Sequence, residues 1–461
     1  MTAQQDSHLV SLIIEANAQK YGDAPAFLGS ANDATYSELQ KQATRFKQHW
    51  ASLSGARVGL ALQPEALSVA MLVALDSLDS NVFLMSPLLD VDTLHRYAED
   101  FQLVGILGVV NGDLQWVVAP RSTTRPHESD AVQRGSVTLL TSGTTGKPKA
   151  VRHTWATLLR PVRRASHYAG TRWLLPYPMH LYAGMQVFLQ CCANGGSLVP
   201  VSSDLSPSEI GAFIEQYRVQ YASATPSFWR KLLLFTPKKV LQALPLVQIT
   251  LGGEATTEEL IGSLKKVFPR ARIAHIYATS ELGRCFTVTD GHAGFPAQYL
   301  ESPPEPGVQL RIIEGELQVR SENAMKAYDP LSGLQVDMHQ WFSTGDLVHV
   351  EAGRVHFSGR LTDLINVGGN KVAPLDVERV IREVPEVADV RVYPVPSSVV
   401  GEVVGADVVA GTGVSKDELQ AKVVALCLQK LQPFQRPRVW KFVDRLATTE
   451  SGKIRRRELE K

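Results

Sequence analysis

Between Arg57 and Val110 short apolar runs alternate with amphipathic ones, and that alternation leaves few folds open. RVGLALQ at Arg57–Gln63 reads as a strand, Glu65–Leu78 as a helix, Asn81–Met85 as a strand, Asp92–Asp100 as a helix and Leu103–Val110 as a strand. Strand, helix and strand in that order predict parallel strands joined by crossover helices. Upstream, Leu39, Ala43, Phe46, Trp50 and Leu53 recur at spacings of four and three, an amphipathic helix beginning near Tyr36. The pattern resumes at Ser206-Pro207-Ser208-Glu209, a capped start for a helix to about Tyr217. Strands at Val219–Ala224, Val247–Leu251 and Arg272–Tyr277 follow, separated by helices at Ser227–Phe235 and from a Thr256/Glu259 capping box to Phe268.

From about Gly294 the texture changes to short strands and turns, VQLRIIEGELQVRS and then WFSTGDLVHVEAGRVHFSGR, which predict a small β-rich subdomain. A break follows at Arg360–Asp363. Beyond it, Asp376–Val384 with Val387–Val392 and Ser415–Leu431 with Val439–Val443 make two strand–helix units. The expected architecture is α/β. A large N-terminal domain (1–359) has parallel sheets and the β-rich subdomain, and a small, mobile α+β C-terminal domain (360–461) follows a hinge near 360–363.

Composition narrows the class. A chain of 461 residues that is 44% hydrophobic can bury a large core, and a net charge of +1 gives no bulk attraction to nucleic acid. The cysteines Cys191, Cys192, Cys285 and Cys427 show no CxxC or ligand spacing and read as reduced, mostly buried thiols. The opening MTAQQDSHLVSLIIEANAQKYGD lacks a basic segment followed by a long apolar core, and no apolar run approaches the length of a membrane span. These features predict a cytoplasmic enzyme, monomer or homodimer.

The chemistry concentrates in VTLLTSGTTGKPKAVRH, Val137–His153. An apolar strand runs into Thr141, Ser142, Gly143, Thr144, Thr145, Gly146 and Lys147, then Pro148 and Lys149. Glycines that let amide N–H groups converge, with hydroxyls and lysines added, suit a polyphosphate. Pro148 after the lysine and the close glycine spacing do not fit GxxxxGK[ST]. The string TSGTTGKPK resembles the phosphate loop of the adenylate-forming superfamily: acyl-CoA synthetases, peptide-synthetase adenylation domains and luciferases.

Four further segments resemble that family's motifs in the same order, so the likeness covers most of the chain. Gly252, Gly253 and Glu254 of GGEA precede YATSELG, in which the resemblance implies that Tyr277 stacks on adenine and Ser280 contacts the α-phosphate. It also implies that Glu281 helps hold Mg²⁺, a hard cation that takes oxygen ligands. Ala278 stands where the family usually has glycine, next to the acyl pocket. STGDL resembles the ribose motif, with Asp346 on both ribose hydroxyls. GRLTDLINVGGNKVAPLDVE resembles the hinge segment. There Arg360 implies a contact to ribose or phosphate, Thr362 or Asp363 the hinge, and Gly368-Gly369 a bare strand past which a pantetheine arm slides. TTESGKIRRREL resembles the terminal motif and places its catalytic lysine at Lys453, a mobile cation for shifting charge.

PYPMHLYAGMQVFLQ resembles the acyl-tunnel region of acyl- and aryl-CoA ligases. His180 matches their gating histidine, and Leu181, Tyr182, Ala183, Gly184, Thr225 and Ala278 would line an apolar slot. Taken alone, His180 suits a satisfied core position better than a gating one. Amino-acid-activating members carry an aspartate where Leu181 stands, and no acid occurs between Gly170 and Asp204, so an ammonium there would be buried unpaired. The resemblance implies ATP- and Mg²⁺-dependent activation of a fatty or aromatic acid, then transfer to CoA. The alternatives are a phosphopantetheinyl carrier protein supplied in trans as acceptor, or a nucleotide-binding protein without catalysis.

Overall fold

Local signals start several elements where the sequence puts them. Thr35 accepts from Glu38 N–H, and Glu38 Oε2 accepts from Thr35 N–H, a capping box that opens the helix Tyr36–His49. Ser206 and Glu209 do the same for Pro207–Gln216. The Thr256/Glu259 box needs correction. The cap is Thr257, whose hydroxyl accepts from Leu260 N–H, and the helix is Glu258–Val267. With Thr257 in that role the third helical residue is Leu260, which has no oxygen to return, so only half a box forms.

The computed structural model describes residues 9–29, 33–120, 135–141, 148–202, 204–411, 413–450 and 452–454. Its first sheet has seven strands, in the order Ala327–Tyr328, Lys149–Thr154, Ser136–Thr141, Asn81–Met85, Arg57–Ala61, Ile106–Val110, Asp113–Val118. The four from Ser136–Thr141 to Ile106–Val110 are parallel. A second sheet of eight strands runs Gly283–Val288, Arg272–Thr279, Gln248–Gly252, Tyr221–Ala224, Arg172–Leu175, Ser197–Pro200, Pro25–Phe27, Ala34–Thr35. It is parallel from Arg272–Thr279 to Pro25–Phe27.

The helix Ala66–Ser77 fixes how the two sheets meet. Its sequence, ALSVAMLVALDS, has no polar stripe, and ten of its 12 residues are buried. A helix apolar on all sides must be covered on all sides. One continuous core joins Val69, Met71, Leu72 and Leu75 to Val58, Leu60 and Val82 of the first sheet and to Phe27, Leu175 and Leu198 of the second.

Five antiparallel strands form the small third sheet, Phe295–Pro296, Arg354–Arg360, Phe342–Glu351, Glu316–Ser321, Val308–Ile313. After one tight turn at Leu361–Asp363 the chain enters the C-terminal sheet. Its central strand, Gly401–Ala410, pairs with Val387–Ser397, Ile365–Val367 and Val439–Phe442. The sequence reading omits that strand because Gly405 and Asp407 interrupt its apolar run. Asp407 is nonetheless buried, in an ion pair with Arg391. The architecture is α/β, with a large N-terminal and a small C-terminal domain. All four cysteines are buried and free, and no helix among the described residues is long and apolar enough to cross a membrane.

Leu72 is fully buried between the sheets. Leu72→Ala should therefore lower unfolding free energy by about 2–5 kcal/mol, against less than about 1.5 kcal/mol for Leu72→Met, measured by urea denaturation.

Candidate active site

Strand ends supply the site. Thr141 closes the strand Ser136–Thr141, and its hydroxyl donates to Lys149 O at 3.5 Å. The chain returns antiparallel as Lys149–Thr154, so the Ser/Thr/Gly segment joins two strands rather than a strand and a helix. The other loop residues singled out, Ser142, Gly143, Thr144, Thr145, Gly146 and Lys147, lie outside the described residues.

Asp346 is the hub of one side. It is buried, and its Oδ2 accepts from Tyr277 Oη at 2.6 Å while its Oδ1 accepts from Arg360 Nε at 2.9 Å. The STGDL segment is a kink inside the strand Phe342–Glu351. Gly345 takes φ +72°, its N–H donates to Glu316 Oε1 at 2.7 Å, and Asp346 N–H donates to the Thr344 hydroxyl at 3.0 Å. The Tyr277 ring stacks with Phe286 and Phe357 at centroid distances of 5.2 and 5.1 Å. The strand carrying it runs on to Thr279, two residues past the predicted end, with a register shift at Tyr277/Ala278.

Ser280 and Glu281 occupy the following turn. Glu281 Oε1 accepts from Tyr328 Oη at 3.3 Å, and the Glu281 carbonyl accepts from Met325 N–H at 2.7 Å. The Ser280 carbonyl meets His153 Nε2 at 2.7 Å, and His153 Nδ1 lies 3.1 Å from the Thr157 hydroxyl. Burial pushes the His153 imidazole down to about 4, outweighing its bond to Ser280. It is therefore neutral near pH 7 and donates through Nε2–H.

Lys453 enters from the C-terminal domain. Gly253 takes φ +83°, a conformation that favours glycine, and a Cβ placed on it would stand 2.9 Å from Lys453 Cε, so the lysine lies directly against this backbone. Glu254 bridges the two domains: Oε2 accepts from Ser227 N–H and Oε1 from Ile454 N–H, both at 3.0 Å. The Thr225 hydroxyl accepts from Phe228 N–H at 3.1 Å and donates to Gly452 O at 3.5 Å. Tyr177 Oη donates to Gly252 O at 3.3 Å. Burial, then the Arg360 guanidinium, push the Lys453 ammonium below its usual value, while Glu254, Asp346 and Glu281 oppose the shift. The residue as a whole remains exposed although its ammonium is the part that burial acts on.

The segment 180–184 is built differently from the slot expected of it. His180 is buried, with Nε2 3.5 Å from Glu450 Oε2, and Nδ1 has no partner among the described residues. Glu450 Oε1 accepts from Ser86 Oγ at 2.7 Å. Burial works against the Glu450 charge, but bonds from His180 and Ser86 hold its carboxyl below the usual value. Leu181 stands at the N-cap position of the helix Tyr182–Cys192 without a side-chain capping bond, and Tyr182 packs against the His153 ring at 5.9 Å. Gly184 is a correction: a Cβ there would meet Pro178 O at 2.1 Å, so its missing side chain admits backbone and leaves no slot. Ala183 and Ala278 are partly buried against the main core. Gly368 and Gly369, at φ +55° and +88°, form an exposed two-residue hairpin turn between Ile365–Val367 and Asn370–Val372 rather than a bare strand.

Residues distant in sequence thus converge on one cleft: Asp346, Arg360, Glu281, Glu254, Gly253 and Lys453. Each Asp346 oxygen keeps a second acceptor position, which suits a ribose diol, and Glu281 offers one hard oxygen ligand of the kind Mg²⁺ takes beside phosphate oxygens. The donor set fits a nucleoside triphosphate with its metal. Glu450, Ser86, His153 and Tyr328 are functional candidates that sequence reading passed over. Glu450 and His153 lay inside quoted motifs, with nothing local to name their partners.

A family model described as AMP-binding enzyme matches residues 14–328, and one described as AMP-binding enzyme C-terminal domain matches 376–453. The chain is 26% identical to a 2-succinylbenzoate–CoA ligase of Lactococcus lactis, over 93% of this chain and 96% of that one. It is 29% identical to a probable CoA ligase, CCL5, of Humulus lupulus over 71% of this chain, an alignment spanning 63% of the relative's length. Among solved structures, the anthranilate CoA ligase AuaEII with anthranoyl-AMP superposes with TM-score 0.77 at 18% identity, covering 96% of this chain and 95% of that one. ATP-bound MatB from Rhodopseudomonas palustris superposes with TM-score 0.74 at 20% identity, covering 96% and 97%.

His153 yields a test of the site's support. Unfolded, it takes up a proton as pH falls through about 6.5; folded, it resists until about 4. Its contribution is thus intact above pH 6.5 and lost on acidification across that window, by at most about 3 kcal/mol. His153→Gln, which keeps a neutral donor for Ser280, should flatten the pH dependence of urea midpoints between those values.

Proposed function

The chain belongs to the AMP-binding enzyme family, and on that premise we propose that it activates an apolar monocarboxylic acid with ATP and transfers the acyl group to the thiol of CoA. The single observation carrying this reading is the entry of Lys453 into the cleft that holds Asp346, Arg360, Glu281 and Glu254. The names of the related CoA ligases support the acceptor.

In the first step a carboxylate oxygen of the acid attacks the α-phosphorus of ATP. The bond from that phosphorus to the β-bridging oxygen breaks, giving acyl-adenylate and pyrophosphate. Lys453 faces the charge that moves between attacking carboxylate and phosphate, and Arg360 adds a second cation on the Asp346 side. Asp346 would accept from the ribose hydroxyls and Tyr277 would flank the adenine. Thr141 and the loop after it would hold the β- and γ-phosphates. Glu281 would hold Mg²⁺, which when bound neutralises phosphate oxygens. In the second step the thiol sulfur attacks the acyl carbon, the carbon–oxygen bond to AMP breaks, and the thiol proton is lost. We take the turn Leu361–Asp363 as the hinge about which residues 360–461 rotate between steps, bringing the Gly368-Gly369 turn to the thiol's path.

The acid's chain is read as apolar because residues 171–203 contain no carboxylate. The fold does bring Glu450 to His180, but both its oxygens are engaged. An α-ammonium would find no free counter-charge there.

Pyrophosphate exchange should be supported by fatty or aromatic acids well ahead of α-amino acids, and an amino acid as best substrate would overturn the pocket reading. CoA and a panel of carrier proteins, offered in turn, decide the acceptor.

Lys453→Ala should slow adenylate formation by at least about 10²–10³ while leaving thioester formation from supplied acyl-adenylate near normal. Gly369→Asn, which tolerates positive φ but adds a side chain, should do the reverse. Loss of the same step to the same degree in both variants would refute the rotation.

A further inference from the structure

We propose that Glu450 is a positioning residue for adenylation: its carboxylate clasps Ser86 and His180 of the large domain and thereby carries Lys453 into the cleft. This rests on the reading of the reaction given above.

Glu450 and Lys453 lie in one closed turn. Thr449 N–H donates to Lys453 O at 2.8 Å, Gly452 N–H to Thr449 O at 2.9 Å, and Lys453 N–H to the Thr449 hydroxyl at 3.2 Å. A bridge between Thr448 and Ile454 closes the stem. With the turn fixed internally, whatever holds Glu450 also places Lys453.

The two sides of the turn grip different parts of the large domain. Ile454 N–H on Glu254 and Gly452 O on Thr225 both attach to strand ends of the eight-stranded sheet. Ser86 follows Asn81–Met85 of the seven-stranded sheet, and its 2.7 Å bond is the contact by which Glu450 reaches that sheet. Attachment to one sheet alone would leave the hairpin free to pivot about Glu254; the second attachment fixes its orientation. Glu450 also meets His180, whose other ring nitrogen is buried without a partner among the described residues. When the turn withdraws, His180 loses the partner of Nε2 and its side chain is released. The clasp therefore couples the C-terminal domain to a side chain beside Leu181.

The test measures both half-reactions and domain docking in Glu450→Ala and Ser86→Ala. Glu450 is on the surface, so its truncation should not impair folding. Losing bonds to a charged group should slow pyrophosphate exchange about tenfold or more in Glu450→Ala, and less in Ser86→Ala. Thioester formation from supplied acyl-adenylate should stay at the wild-type rate. Docking is read without catalysis, from the distance between spin labels on Lys239→Cys and Gln420→Cys, both exposed, the native cysteines being buried. Glu450→Ala should broaden that distribution. Unchanged exchange and distances, or equal loss of both half-reactions, would overturn the proposal. A wild-type protein that activates no acid, with labels that still shift in Glu450→Ala, would refute the reaction while leaving the clasp standing.

Discussion

A helix without a polar face has to be enclosed, and Ala66–Ser77 obliges two sheets to share one interior. Everything the cleft does depends on that enclosure. Because the sheets pack across a common helical layer, strand ends from both reach the hairpin that carries Lys453: Ser86 from one, Thr225 and Glu254 from the other. The hairpin that carries Lys453 spans the two. Loops can vary at those ends without disturbing the core, since backbone pairing and apolar burial are completed behind them.

Three carboxylates at the cleft, buried Asp346, half-buried Glu254 and Glu450 at the surface, each have two donors. Asp346 takes a phenol and a guanidinium, Glu254 two backbone N–H groups, Glu450 a hydroxyl and an imidazole. Burying an ion without such donors costs several kcal/mol, a cost the pairing offsets at Asp346, while at Glu254 and Glu450 the pairing chiefly secures the partners' geometry. In each case the donors come from separate segments; for Glu254 they come from separate domains, and for Glu450 both come from the domain opposite its own. The electrostatics of the site and the relative placement of its parts are one problem with one solution.

Much of this was legible in the sequence because the elements involved depend on nearest neighbours. Asn81–Met85 is a strand as read, and the Ser206–Glu209 box starts its helix as read, since alternation and capping act over a few residues. Residues whose type is dictated by chemistry, such as Asp346, Glu281 and Lys453, could be picked out from their motifs. What escaped was set by distance along the chain. Ser86 and Glu450 are 364 positions apart, and nothing near either names the other. Gly184 looked like open space, yet the Pro178 carbonyl fills it, a contact that only the turn before the helix creates. The strand Gly401–Ala410 was hidden because Asp407 is polar, although Arg391 makes its burial tolerable.

The bridge from Ser227 through Glu254 to Ile454 has a thermodynamic consequence. Glu254, Gly253 and Thr225 touch the C-terminal hairpin and also line the cleft, so docking and filling of that cleft share contacts. Two equilibria that share contacts are linked, and the linkage is reciprocal. Whatever factor docking adds to the affinity of a ligand bridging both domains, that ligand adds to docking. A single free energy thus describes both the grip on the ligand and the closure of the chain around it, and departure of the ligand's outer portion weakens closure by the same measure.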